Sequence, residues 1–145
     1  MKEIRIDTGV VEYTLFTSTG EKCIVAFNPT DTEFVNRLNS TFEELDRNQE
    51  SYKKEVEDAG NNFRKIYEIS VKRDTEMRAL LDALFDKPIC KDLFGDMNVY
   101  AMASGLPVWA NFVMALIDET KDTFDAENKL STSRIQKYMD KYKKK

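Results

Sequence analysis

EKCIVAFNPTDTEFVNRLNSTFEEL, residues 21–45, joins a strand pattern to a helix pattern through a stiff corner. Ile24-Val25-Ala26-Phe27 is rich in residues that favour a pleated surface. Asn28-Pro29 breaks that run, because proline has no N–H to give a ladder and holds the preceding residue extended. Thr30 or Asp31 restarts the chain as a helix, with Glu33 placed to close a capping box on Thr30. Phe34, Val35, Leu38, Phe42 and Leu45 then form one apolar stripe at helical spacing. Phe27, Pro29, Thr30, Asp31 and Phe34 are therefore expected to form a structural corner that sets how a small sheet meets a long helix.

Upstream, residues 3–27 read as an antiparallel meander of two or three strands. Ile4 and Ile6 alternate with charged neighbours, and Asp7-Thr8-Gly9 signals a turn. Residues 10–16 (VVEYTLF) form the next strand, 17–21 a second turn, and 23–27 the last strand. A sheet this small needs a helix on its apolar face.

Downstream the pattern is helical. Helix one is expected over 31–59, but after Leu45 only Tyr52 and Val56 continue its stripe. Gly60-Asn61-Asn62 should stop it, with Gly60 at a left-handed position. Helix two is expected over 62–85, with one stripe of Phe63, Ile66, Tyr67 and Val71 and another of Met77, Leu80, Leu81 and Leu84. The wholly polar segment 72–76 separates them and reads either as a break or as an exposed turn. A short helix at 89–94 stops at Gly95, and a loop covers 96–105. Leu106-Pro107 should open helix three, whose Trp109, Phe112, Val113, Leu116 and Ile117 lie on one face while Val108, Ala110, Met114 and Ala115 make the other face apolar too. Residues 123–129 read as a linker, and a last helix should carry Ile135, Tyr138, Met139 and Tyr142. The fold class is α+β, a small N-terminal meander followed by a body of four or five helices. It is expected as one domain over 1–145: the sheet over 1–28, the helical body over 29–125, and a C-terminal helix with a basic tail over 126–145.

The residue inventory narrows the chemistry. The 145 residues contain no histidine and two cysteines, Cys23 and Cys90, which are not in CxxC spacing. Ser-His, Cys-His and His-metal sites are excluded, and the five glycines are too dispersed for a phosphate-cradling loop. Adjacent acids such as Glu43-Glu44 point in different directions on a helix and make no carboxylate dyad. Asp92, Asp96 and Asn98 lack the ligand spacing of a calcium loop. No enzyme, metal or cofactor is expected. The net charge is −4, yet from Lys137 onward five lysines and one aspartate make +4, leaving −8 on the rest. An acidic body argues against nucleic acid, although Tyr138 and Tyr142 among those lysines would suit it. No apolar run is long enough to span a membrane, and the N-terminus lacks the apolar core of a signal peptide. A cytoplasmic protein is expected, with reduced thiols.

Partner binding is the remaining class. The thin half of helix one, the apolar helix three and the six methionines suit a protein that holds another chain or forms a homo-oligomer. The candidate partner-binding residues are Tyr52, Val56, Trp109, Phe112, Val113 and Leu116. Against this stands the plainer reading of each as core.

Two segments carry a family resemblance. The first is Phe27-Asn28-Pro29-Thr30-Asp31, followed by residues 32–38. The second is Asp82-Ala83-Leu84-Phe85 with Leu93-Phe94-Gly95, ahead of a final apolar helix. Together with the order of elements, these resemble the tail assembly chaperones of long-tailed phages and prophages. The resemblance implies a non-enzymatic protein of the bacterial host cytosol that binds and solubilises the tape measure protein and helps recruit tail tube protein. Two rival expectations are a structural tail or connector protein, and a small phage-encoded regulatory protein that binds a host protein.

Overall fold

A computed structural model describes residues 1–143, except for the side chains of Leu45, Asp46, Arg134, Ile135, Tyr138, Met139, Lys141, Tyr142 and Lys143. The expectations placed on Ile135, Tyr138, Met139, Tyr142 and the final lysines lie outside the described residues. The architecture is α+β, a two-stranded antiparallel sheet followed by four helices. Strands β1 (Val11–Phe16) and β2 (Lys22–Phe27) pair in a register that sets Tyr13 opposite Val25 and Leu15 opposite Cys23. These four side chains and Phe27 face the helices. Phe16 and Ile24, on the other face, are exposed.

The expected first strand at Ile4 and Ile6 does not form in cis, and residues 1–10 lie outside the sheet. The turn chemistry explains this. A two-residue hairpin loop at Thr8-Gly9 needs positive φ at Thr8, or glycine in Thr8's place. A β-branched residue resists positive φ, and of the pair only Gly9 adopts it, at 68°.

The corner is built as the sequence indicates, with one change of partner. Pro29 is fully buried, and Phe27 stacks on Phe34 with ring centroids 4.3 Å apart. Helix α1 (Thr32–Ala59) is capped by Asp31, whose carboxylate accepts the Glu33 N–H at 3.0 Å. The capping box on Thr30 is therefore corrected. Asn28 Oδ1 takes both Thr30 donors, the N–H at 2.8 Å and the hydroxyl at 2.7 Å, and this leaves Asp31 to meet the helix. Asn28 also donates through Nδ2 to the Thr8 carbonyl at 2.8 Å, so one side chain ties the N-terminal segment to the corner.

Helix α1 ends at Gly60, which has positive φ, and α2 (Phe63–Phe85) starts with Asn62 as its cap. The polar segment 72–76 is neither a break nor a turn, because α2 runs through it unbroken. Of its two expected stripes, the second is buried through Met77, Leu81 and Leu84, with Leu80 exposed, whereas in the first Phe63, Tyr67 and Val71 are exposed and Ile69 is buried instead. Helix α3 (Ile89–Phe94) seats Ile89, Cys90 and Leu93 in the core. Leu106-Pro107 does not open a helix. It forms strand β4 (Leu106–Pro107), which pairs with β3 (Met102–Ala103) across a turn in which Ser104 and Gly105 both have positive φ. Helix α4 (Val108–Lys143) then runs unbroken through the expected linker at 123–129. No glycine or proline lies within 123–129, so nothing there breaks the helix. At 36 residues it is about 54 Å long, and its residues 125–133 are all exposed.

The main core brings Val25 and Phe27 of the sheet against Phe34 and Leu38 of α1, Leu81 and Leu84 of α2, and Trp109, Val113 and Leu116 of α4. A smaller cluster, Tyr52, Ala59 and Ile69, joins the far ends of α1 and α2.

Candidate functional site, an apolar groove beside the hairpin tip

The fold leaves a groove of 310 Å³ where the tip of the β1–β2 hairpin, α3, β3 and α4 meet. Leu15 and Phe16 line it from the hairpin, Leu93 and Phe94 from α3, and Val108, Phe112, Ala115 and Leu116 from α4. Its polar contributors are Thr17, Ser18 and Asn111, and among the described residues no charged side chain lines it. The other described cavities have charged linings, such as Lys22, Lys87 and Asp92 beside β2. Leu93 and Leu116 form the buried floor, and Phe16, 77% exposed, stands at the rim. Phe94 and Phe112 meet edge to face with centroids 6.3 Å apart. Asn111 Nδ2 donates to the Ala103 carbonyl at 2.8 Å and pins the small β3–β4 hairpin as one wall.

A polar network holds the segment between α3 and α4, and so sets the position of α4. Asp74 accepts from Arg78 Nε at 3.0 Å and from the Val99 N–H at 2.8 Å. Arg78 also reaches the Gly95 carbonyl at 2.7 Å and the Met97 carbonyl at 2.5 Å. Arg73 lies over two rings, 4.6 Å from the Tyr52 centroid and 4.0 Å from that of Tyr100. The Tyr52 hydroxyl donates to Glu76. Burial, then that carboxylate, push the Tyr52 phenol well above its ordinary range. Burial also raises the Cys90 thiol, and the carboxylate of Asp82 adds to the shift.

The six candidate partner-binding residues separate. Trp109, Val113 and Leu116 are in the main core, and Tyr52 is in the smaller cluster. Phe112 is half-buried in the groove wall, and Val56 is exposed on the outer side of α1. The groove thus unites Phe112 and Leu116 with Leu93 and Phe94 of the second resemblance segment. Phe16 was not singled out from the sequence, and nothing in its alternation reveals that it ends beside a groove. A second apolar surface, Phe63, Tyr67 and Val71, is 81%, 68% and 42% exposed along one face of α2.

Comparisons with family models, with curated proteins and with solved structures give no match for this chain. Among the described residues, no group of three or more Cys, Asp or Glu side chains could hold a metal ion, and no helix is long and apolar enough to cross a membrane.

Proposed function

We propose that this protein is a non-enzymatic tail assembly chaperone of a phage or prophage, acting in the host cytoplasm on the tape measure protein, with tail tube protein as a second partner. The observation that carries this is the uncharged apolar groove, walled by Leu93 and Phe94 and by the final helix. An amphipathic helix laid along such a groove buries its apolar face and leaves its polar face in water. The net charge of −4 helps to keep the complex soluble. Phe63, Tyr67 and Val71 offer a second contact for a client longer than the groove.

Co-expression with a tape measure fragment, followed by size-exclusion chromatography, tests this. The fragment should be soluble and co-elute with the chaperone. Phe16→Asp should weaken the complex about tenfold or more, with the fold intact because Phe16 is largely exposed. A fragment equally insoluble with and without this protein would overturn the proposal. Finding the protein in purified particles would favour a structural tail component instead.

A further inference from the structure

We infer that two copies of this chain exchange their N-terminal segments, each laying residues 2–6 as a third strand along the open edge of the other's β1. Four observations converge on a second copy as the occupant. First, Ile4 and Ile6 alternate with Glu3, Arg5 and Asp7 in a strand pattern, yet they are 88% and 77% exposed. Among the described residues, no backbone–backbone hydrogen bond ties residues 1–10 to the body. Second, the base of this segment is anchored. Asp7 Oδ1 accepts the Gly9 N–H at 2.9 Å, and Asn28 Nδ2 holds the Thr8 carbonyl at 2.8 Å. A Cβ on Gly9 would come within 2.8 Å of that same Asn28 nitrogen, so the backbone there is seated against the corner.

Third, the sheet's two edges differ. Lys87 Nζ donates to the Ile24 carbonyl at 3.2 Å and blocks β2 with a charge. Among the described residues β1 pairs with β2 alone, so its outer edge carries unpaired backbone groups. Fourth, one antiparallel register satisfies both pattern and charge. Setting Arg5 opposite Glu12 places Ile4 opposite Tyr13 and Ile6 opposite Val11, on the face that turns to the helices. Val11 is 43% exposed and would be covered. The Arg5–Glu12 pair would sit on the outer face. A tight cis hairpin would need this same register, but Thr8 obstructs its turn. Exchange between copies supplies the strand without the turn, and a two-fold arrangement makes the contact reciprocal.

The test uses the full chain. Sedimentation equilibrium at high micromolar concentration should give twice the chain mass. Ile4→Asp/Ile6→Asp should return it to the monomer with unchanged far-ultraviolet circular dichroism. Arg5→Glu should weaken association about tenfold, and Arg5→Glu combined with Glu12→Arg should restore it. A mixture of two variants, one Arg5→Cys and one Glu12→Cys, both in a Cys23→Ser background, should form a disulfide between copies on mild oxidation. A monomeric wild type would overturn the inference, as would a dimer indifferent to Ile4→Asp/Ile6→Asp. A dimer with no Arg5-to-Glu12 cross-link would overturn the register and with it the exchange.

Discussion

Replacing Asp74 by alanine should destabilise the protein by about 3 kcal/mol, a large share of the roughly 5–15 kcal/mol typical of a folded domain. Asp74 sits in the polar segment of α2 and serves two partners. It accepts from Arg78 Nε at 3.0 Å and from the Val99 N–H at 2.8 Å. Breaking a buried ion pair by removing one partner costs about 3–5 kcal/mol, because the remaining charge is left uncompensated. Here the side chains of Arg78 and Asp74 are 20% and 19% exposed, so water reaches the orphaned guanidinium and the cost falls to the lower end. The orphaned Val99 N–H adds to it, since an unpaired buried donor costs about 1–3 kcal/mol. The two costs overlap through local relaxation and do not sum.

Trp109 supplies the assay. It is the only tryptophan, fully buried, with its ring 6.1 Å from Tyr100 in the segment that Asp74 holds. Urea unfolding followed by its fluorescence should move to a lower midpoint by about 1–3 M, given slopes of about 1–3 kcal/mol per molar urea. Glu68→Ala is the control. Its pair with Arg64 is 3.9 Å long and its side chains are 92% and 68% exposed, so its loss should barely register. Asp74→Asn keeps an acceptor for the Val99 N–H and should fall between the two. A shift for Asp74→Ala no larger than for Glu68→Ala would refute the reasoning.

Asp31→Ala should cost about 0.5–2 kcal/mol through the lost cap, and more than Thr30→Ala, when both are compared by thermal unfolding. Equal costs would return the cap to Thr30. Gly9→Ala should cost about 1–2 kcal/mol in the same measurement, because alanine resists a φ of 68° and its Cβ meets Asn28. In a thiol-reagent titration of the native protein, Cys23 should react slowly and Cys90 only after unfolding, since Cys90 is 1% exposed and burial raises its thiol pKa. Tyr13, Tyr52 and Tyr100 all have raised phenol pKa values, chiefly through burial. The folded state therefore keeps protons that the unfolded chain loses near pH ~10, and stability should hold below that point and fall as pH rises beyond it. Tyr52→Phe should flatten that fall in pH-dependent urea unfolding.

Strong local chemistry was legible in the sequence. Pro29, the Phe27-to-Phe34 spacing, Gly60 and Gly95 each admit few backbone choices, and the corner and helix ends follow from them. The register of α2 was harder. Phe63, Tyr67 and Val71 fit one helical face, but so do Ile66 and Ile69 with Met77, Leu81 and Leu84. Counting back from the unambiguous half through steps of three and four puts Arg73 on the inner face. That choice looks wrong until two tyrosines are available to sandwich the guanidinium, and Tyr52 and Tyr100 come from other parts of the chain. The groove was invisible for a related reason. Its walls come from residues near 16, 94 and 112, and no local pattern records that they meet. The resemblance segments named Leu93 and Phe94, and helical spacing named Phe112, but only the fold brings Phe16 to them.

The groove and the exchanged strand are neighbours, and their geometry keeps them separable. In the register with Arg5 opposite Glu12, Lys2 lies opposite Leu15, so an incoming strand runs along β1 toward the hairpin tip and ends at the groove's rim. It covers the edge of β1, while the groove opens between the hairpin, α3 and α4. As proposed, the two surfaces would take different partners through different physics. Strand addition satisfies backbone groups and fixes a register, whereas the groove offers apolar area without one. A dimer would present two grooves, and two weak sites acting on one long client raise its apparent affinity through effective concentration. The separation has a measurable signature. Phe16→Asp should impair client solubilisation and leave self-association intact. Ile4→Asp/Ile6→Asp should abolish self-association, and client binding should persist at the weaker affinity of a single groove. If both variants lost both properties in equal measure, the two surfaces would be one.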